Sequence, residues 1–283
     1  MLRRLDSFLL CLLGTVGLAT VLPCRGAGVS VFNILAIGMI ANMFFLQGAR
    51  LSRRAVAEGI TNWRIHLAIL LCTFFMFPLL GMMLHALLPG MLDSAMWTGV
   101  LFLCCLPSTV QSSIAFTSIA RGNVAAAICS ATLSNILGIF LAPILVGILF
   151  SRHAAGGGGN ILPIVGQLLL PFIAGQIAQP WIGGWAQRHK KLLSFSDRGS
   201  ILVVVYTAFS EAVTQGLWHR LPPAQIGRVA LVDMAILAIA LGLTHLLARL
   251  SGFGYRDRIA ILFCGSKKSL ASGVPIASVL FAP

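Results

Sequence analysis

The chain has 283 residues, of which 58% are hydrophobic and only 10% charged, and its mean hydropathy is +0.95. Soluble domains carry about 25% charged residues, and a globular interior of this size cannot bury so many apolar side chains. The composition therefore excludes a soluble enzyme, a disordered tail and a disulfide scaffold. It predicts an all-α polytopic membrane protein that is solvated by the lipid bilayer.

The net charge of +13 comes from 20 Lys and Arg against 7 Asp and Glu. The basic residues lie mostly in short gaps between apolar segments, which is typical of topology signals and of contact with anionic lipid. We therefore expect the lipid bilayer, and no nucleic acid, among the partners. The seven cysteines include no CxxC pair, so they are predicted to be packing residues and not metal ligands.

Nine apolar segments are long enough to be membrane helices. The first also resembles a signal peptide, but the eight segments behind it favour a retained helix. The predicted helices cover residues 5–22, 29–48, 66–88, 96–120, 123–150, 161–182, 199–220, 225–249 and a broken segment from about 258 to the end.

The basic residues predict the orientation of these helices. With the N-terminus inside, the inner segments hold 14 Lys and Arg and the outer segments hold 4. Positive residues accumulate on the cytoplasmic side of membrane proteins. The sequence therefore predicts a multi-pass protein of the cell (inner or plasma) membrane with a cytoplasmic N-terminus.

Two interrupted helices suggest an internal repeat. The fourth helix is broken at Pro107 and the ninth at residues 265–268, and each is the fourth element of its half. We predict a first inverted repeat over residues 1–155, a glycine-rich linker over 156–160 and an incomplete second repeat over 161–283. Paired broken helices in two halves indicate the binding site of a transporter. Packing kinks in unrelated helices are the alternative.

Polar residues follow the proline of the fourth helix. Pro107 frees main-chain carbonyls in mid-membrane, and freed polar groups must be satisfied by protein or by a water-filled cavity. The cluster suits a cation or polar-substrate site, although hydrogen bonding between helices is the alternative. Its members are Ser108, Thr109, Gln111, Ser112 and Ser113.

The fifth helix carries a second polar group, made of Ser130, Thr132, Ser134 and Asn135. Ser130 and Ser134 are four residues apart and share a helix face, whereas Thr132 lies off that face. These residues could serve helix packing or ligand binding, and the sequence does not decide between the two.

Ionisable residues within predicted membrane helices are costly and usually functional. Four qualify, namely Glu211, Asp233, Lys267 and Lys268. Two acids and two lysines could neutralise one another within the membrane. The alternative to a functional role is a purely structural ion pair. Because the two lysines are adjacent, their side chains should point about 100° apart on a helix, so only one should face a given partner.

Enzyme signatures are absent from the sequence. It contains no HExxH, no GxSxG and no P-loop, and its histidines do not pair at metal-ligand spacing. We therefore expect no enzymatic activity, no metal site and no cofactor.

Three segments carry a resemblance to a known family. They are LPSTVQSSIAFTSIARGNVAAAICSA, YTAFSEAV and FCGSKKSLASGVPIA. Together they resemble the sodium/bile acid symporter superfamily, and most of all its bile acid symporter-like branch, the solute carrier family 10 member 7-like proteins. The resemblance implies two inverted five-helix repeats, a panel domain and a core domain, with helices four and nine crossing beside the ion sites. It also implies that a tenth helix is missing from this chain.

The chain departs from this family at the ninth-helix break. In the sodium-coupled relatives the break carries a glutamate and a glutamine that ligate sodium, whereas here it reads Ser266, Lys267, Lys268 and Ser269. Ile114 also replaces an asparagine that the resemblance implies. An ammonium can take the place of a monovalent cation, so we expect a lysine to lie among the hydroxyls of Ser112, Ser113, Thr132 and Ser134.

These observations favour a secondary transporter of a small organic anion that works by alternating access and is not classically sodium-coupled. A coupling ion, if there is one, would be sodium or a proton, with Glu211 and Asp233 as charge partners. A membrane regulatory protein without transport activity, with a role in ion or calcium homeostasis, is the alternative. A side left uncovered by the absent tenth helix would suit a homodimer.

Overall fold

The computed structural model describes residues 7–50, 62–151, 161–216 and 222–280. Within these ranges the chain is helical apart from short turns and one isolated β-bridge. The helices are α1 Ser7–Val21, α2 Ala27–Arg50, α3 Trp63–Leu87, α4a Ser94–Cys105, α4b Gln111–Ile119, α5 Val124–Ser151, α6 Ile161–Arg188, α7 Lys190–Thr214, α8 Pro223–Leu250, α9a Tyr255–Gly265 and α9b Leu270–Leu280. The predicted linker over 156–160 lies outside the described residues.

The prediction of an all-α polytopic membrane protein is confirmed. Among the described residues, five unbroken helices are long and apolar enough to cross a membrane: α2, α3, α5, α7 and α8. Each of the nine predicted segments is helical, and the fourth and ninth are broken where the sequence predicted. Large apolar side chains are exposed along the spanning helices, as expected of surfaces that face lipid.

The predicted boundary of the seventh helix is wrong. The charges at 188–198 suggested a loop before a helix at 199–220, but α7 begins at Lys190 and only His189 separates it from α6. Helices continue through the headgroup region, where charged side chains reach water. One of these charges, Asp197, is used within the protein, because it accepts a bidentate hydrogen bond from Arg50 at 2.6 and 3.3 Å.

The described residues form two compact units, and each takes segments from both halves of the chain. The first contains residues 1–52, 166–222 and 274–283. In it, α7 packs on α1 and α2, and the Tyr206 hydroxyl donates to the Leu22 carbonyl at 2.9 Å. Gly48 and Gly175 let the backbones of α2 and α6 approach closely. A Cβ added at Gly48 would clash with the carbonyl oxygen of Phe172, and a Cβ added at Gly175 would clash with that of Phe45.

The second unit contains residues 53–165 and 223–273, and therefore α3, both parts of the fourth helix, α5, α8 and α9a. One apolar cluster joins α3, α4a and α8 around Trp97 and Val232. Another joins α3, α5 and α9a around Ile69, Ala127 and Ile261. These clusters hold the helices that flank both breaks, so the unit fixes the geometry of the candidate site.

A π-helical turn interrupts α3 at Cys72–Met76, just before Pro78. The N–H of Phe77 donates to the carbonyl of Cys72, five residues back, instead of to Thr73. In a π-helix the carbonyl of Thr73 would accept a hydrogen bond from the backbone N–H of residue 78, but residue 78 is a proline and has no N–H. The carbonyl of Thr73 therefore has no partner within its own helix.

Candidate functional site

The two broken helices meet at their breaks. Helices α4a and α9a end at Cys105 and Gly265, and three residues later Ser108 and Lys268 pair in an antiparallel β-bridge. The N–H of Ser269 donates to the carbonyl of Pro107 at 2.8 Å. Two extended segments thus cross inside the second unit, and the backbone groups that each break exposes must find partners there.

Lys268 satisfies three of these carbonyls with one ammonium group. Its Nζ donates to the carbonyls of Thr73, Cys104 and Leu106 at 2.6, 2.8 and 2.8 Å, and lies 4.3 Å from the centre of the Phe77 ring. An ammonium has three N–H groups, so its donor capacity is filled. The side chain is therefore a fixed cation held by main-chain oxygens.

The local sequence explains why the α4a carbonyls are available. The N–H that would bond Cys104 in a continuous helix belongs to Ser108, and it donates to the Ser134 hydroxyl at 3.0 Å instead. Leu106 adopts extended backbone angles before Pro107, so its carbonyl leaves the helix direction. Hydrogen bonds to charged groups contribute about 1.5–3 kcal/mol each, which offsets part of the cost of burying the ammonium.

Hydroxyls satisfy the carbonyls at the other break. Ser108 Oγ donates to Cys264 at 2.6 Å, and Ser113 Oγ donates to Phe263 at 3.0 Å. Ser266 Oγ donates back to Leu262 at 2.5 Å. The end of α4a is therefore held by a cation, whereas the end of α9a is held by neutral groups.

Asn135 connects α5 to both breaks. Its Nδ2 donates to the carbonyl of Ser108 at 2.8 Å, and its Oδ1 accepts from Ser272 Oγ at 2.8 Å. Ser272 Oγ also lies 3.2 Å from Ser269 Oγ. Together with Ser134, this residue makes α5 part of the crossing.

Lys267 lies in a different environment from its neighbour. Its Nζ is 4.2 Å from the centre of the Phe116 ring and 5.8 Å from that of Phe263. The two rings stack with their centres 5.5 Å apart. No hydrogen-bond acceptor among the described residues contacts this ammonium, so the two lysines face different partners, although the break at 266–269 is not helical and the predicted 100° separation does not apply there.

Several predicted site residues lie beside the crossing without joining it. Thr109 Oγ1 contacts Ser112 Oγ at 2.7 Å and Ser113 Oγ at 3.1 Å. Gln111 is exposed at the start of α4b. Thr132 donates to Ile128 in its own helix at 2.8 Å, which agrees with its predicted position off the shared face.

The predicted charge partners, Asp233 and Glu211, form no ion pair with the lysines at the crossing. Asp233 and Lys268 belong to the same unit but form no ion pair, because the ammonium binds carbonyls, and Asp233 Oδ1 is buried with no partner among the described groups. Glu211 belongs to the first unit, where its carboxylate accepts from Gln215 at 3.4 Å. The structure therefore does not show the mutual neutralisation of acids and lysines at Lys268, whose ammonium is surrounded by carbonyl oxygens instead.

The expected position of the fixed ammonium also differs from the structure. Lys268 does not lie among Ser112, Ser113, Thr132 and Ser134, and those hydroxyls already bond to backbone groups or to Thr109. The described residues contain no group of three or more His, Cys, Asp or Glu that could hold a metal ion.

Three residues that shape the site or its boundary are not among the residues predicted from the sequence, namely Thr73, His66 and Ser272. His66 is buried and its Nδ1 lies 2.6 Å from Ser130 Oγ, so Ser130 is occupied by α3 and not by the crossing. In the sequence, Pro78 indicates that a carbonyl about one turn earlier, here that of Thr73, lacks its helical partner. The Ser-x-x-Ser spacing that starts at Ser269 indicates that Ser272 can lie beside Ser269.

Comparison with known proteins agrees with the resemblance found in the sequence. The profile of the SBF-like CPA transporter family matches residues 6–283. An uncharacterised protein of Pseudomonas aeruginosa is 54% identical over 98% of this chain and 84% of its own length.

Two further relatives have descriptive names. The protein of Escherichia coli (strain K12) named "Putative symporter YfeH" is 48% identical over 99% of this chain and 84% of its own length. Sodium/bile acid cotransporter 7 of Mus musculus is 25% identical over 86% of this chain and 72% of its own length.

Proposed function

Because the chain belongs to the SBF-like CPA transporter family, we propose that it is a secondary transporter that moves a small organic anion by alternating access without requiring sodium. Membrane transport within the sodium/bile acid symporter superfamily is the coarser statement that the family and its relatives support directly. The anion, the absence of sodium coupling and the residues involved are the proposal.

The observation that carries the proposal is the set of three carbonyls around Lys268. Main-chain carbonyls at a helix break are the ligands that transporters offer to a monovalent cation. Here a covalently attached ammonium takes them. A second cation about 4 Å from this ammonium would be repelled by about 4 kcal/mol at an effective dielectric constant of 20.

The charges around the crossing favour an anion as the transported solute. Lys267 and Lys268 lie at the break of the ninth helix, and no carboxylate of the described residues pairs with either ammonium. A cationic solute would meet these charges without a counter-ion. The names of the relatives include a symporter and a sodium/bile acid cotransporter, but neither name carries a substrate over to this chain.

Purified protein in proteoliposomes tests transport itself. We expect counterflow of at least one member of a panel of carboxylates, sulfonates and organic phosphates, at equal rates in sodium chloride and in choline chloride. Protein-free liposomes are the control. Failure of every solute to exchange would favour the alternative, a regulatory membrane protein without transport activity.

Thermal unfolding in detergent tests sodium independence without knowledge of the substrate. We predict that the wild-type Tm is the same in sodium, potassium and choline chloride at constant ionic strength, because Lys268 occupies the carbonyls that sodium would need. A sodium-specific rise in the wild-type Tm would contradict the proposal.

A further inference from the structure

We infer that Lys267 is the binding residue for the acidic group of the transported anion, and that Phe116 and Phe263 contact its apolar body. This inference rests on the proposed function for its role in transport. It divides the two lysines of the ninth-helix break into a structural cation, Lys268, and a ligand-binding cation, Lys267.

The hydrogen bonds separate the two roles. All three donors of Lys268 are used by carbonyls, so that ammonium has nothing left to offer a solute. Lys267 has no acceptor among the described residues, and its Nζ lies 4.2 Å and 5.8 Å from the ring centres of Phe116 and Phe263. A ring face stabilises a cation but does not satisfy its N–H donors. Those donors are available to a carboxylate, sulfonate or phosphate oxygen.

The position of Lys267, two residues beyond the end of α9a, argues against simple solvation by the headgroups. Helix α9a has 11 residues before the break, which at about 1.5 Å per residue is about 16 Å, or half of the roughly 30 Å hydrocarbon core. For a helix that enters the hydrocarbon near Tyr255 and runs along the membrane normal, this length places the break at mid-depth, farther from either interface than a lysine side chain extends. A half-buried ammonium at mid-membrane therefore needs an anion or a water-filled path to one.

The aromatic pair indicates what the anion carries besides its charge. Phe116 is 43% exposed although it belongs to the unit that holds the crossing. Its ring stacks on Phe263 directly beside the Lys267 ammonium. A ligand whose acidic group meets Lys267 would place its adjoining atoms against this aromatic surface. The geometry fits an organic acid with an apolar body better than inorganic phosphate.

Ligand-induced shifts in Tm of the full chain in detergent test the inference. The probes are 2-naphthoate, its neutral amide 2-naphthamide, and inorganic phosphate. We expect 2-naphthoate to stabilise the wild type at lower concentration than either other probe. K267Q should raise the 2-naphthoate concentration for half-maximal stabilisation at least tenfold, whereas K267R should raise it less than threefold. K191Q is the matched control, because it removes the same charge from the exposed start of α7.

Each outcome decides the inference. Equal 2-naphthoate responses in the wild type and K267Q, or no response in the wild type, would overturn it, as would an equal response to 2-naphthamide. Loss of the response in K191Q as well would show a nonspecific charge effect and overturn it too. The readout does not require transport. If the wild type shows counterflow but K267Q responds to 2-naphthoate as the wild type does, only this inference is refuted. If the Tm response to 2-naphthoate depends on Lys267 but no solute shows counterflow, only the proposed transport is refuted.

Discussion

The ammonium of Lys268 joins three carbonyls, one from α3, one from α4a and one from the extended residue that follows α4a. None of the three has a partner in its own helix, since Pro78 lacks an N–H and the fourth helix is broken. Unsatisfied polar groups in a region without water cost several kilocalories per mole. At the residue scale, the lysine therefore completes the backbone hydrogen bonding of the crossing.

We predict that K268M lowers the Tm more than any other single lysine substitution. Methionine keeps much of the apolar stem but leaves three carbonyls without donors, at about 1–3 kcal/mol for each group that water does not reach. Thermal unfolding in detergent measures the loss, and K191M is the control at an exposed helix start. A Tm for K268M equal to that of the wild type would show that water replaces the ammonium.

The same residues show what the sequence could and could not reveal about the site. Polar side chains after a proline in an apolar segment are visible in the sequence, and Ser108, Ser113, Ser134 and Asn135 do meet at the crossing. Main-chain carbonyls have no residue-type signature. The sequence therefore does not reveal the ligands of Lys268, and it predicts an ammonium among hydroxyls that other groups of the protein already occupy.

At the element scale, the break of the fourth helix packs directly against α5. A Cβ added at Gly138 would lie 2.6 Å from Cβ and 2.8 Å from Cγ of Pro107. The absence of a side chain at this position lets the proline approach the helix. The proline is rigid, so it cannot move aside without displacing the extended segment that carries Ser108.

We predict that G138A destabilises the protein although alanine is the better helix former. The clash with Pro107 should cost about 1–3 kcal/mol, as overpacking does, and exceed the gain of up to about 1 kcal/mol in helix propensity. G99A is the matched control, since a Cβ at Gly99 of α4a meets nothing within 4 Å. Thermal unfolding of both variants in detergent checks the difference. A Tm for G138A at or above that of G99A would contradict the expected clash.

Helix identity was easier to predict than helix ends. Long apolar segments favour membrane helices by length alone, and in the described part of the chain each of the nine segments is helical, five of them as unbroken helices long and apolar enough to span. The start of α7 was misplaced because charged residues at a membrane boundary can belong to a loop or to a helix that extends beyond the hydrocarbon. Contacts made after folding, such as the Arg50–Asp197 ion pair, are not visible in local composition.

At the scale of the whole molecule, the division into compact units differs from the division into sequence halves. Each unit contains segments from before and after residue 160, and the second unit holds both breaks. Inverted repeats would produce such an exchange, because equivalent helices of the two halves would join the same unit. The repeats over 1–155 and 161–283 remain a prediction that superposition of the two halves would check.

The orientation in the membrane is the last prediction, and it follows from the excess of Lys and Arg in the segments assigned to the inner side, 14 against 4. We expect a cysteine at position 157 to react with an impermeant maleimide in intact cells, as should the native Cys24 between α1 and α2. A cysteine at position 251, in the exposed turn between α8 and α9a, should react only after permeabilisation. Cys24 and the two other native cysteines that are not buried, Cys11 and Cys129, are replaced by serine when the two introduced cysteines are tested, so that each signal comes from one accessible thiol. Labelling of position 251 in intact cells, with position 157 protected, would reverse the topology. It would then place the basic residues on the outer side, where the membrane potential and the leaflet charge no longer favour them.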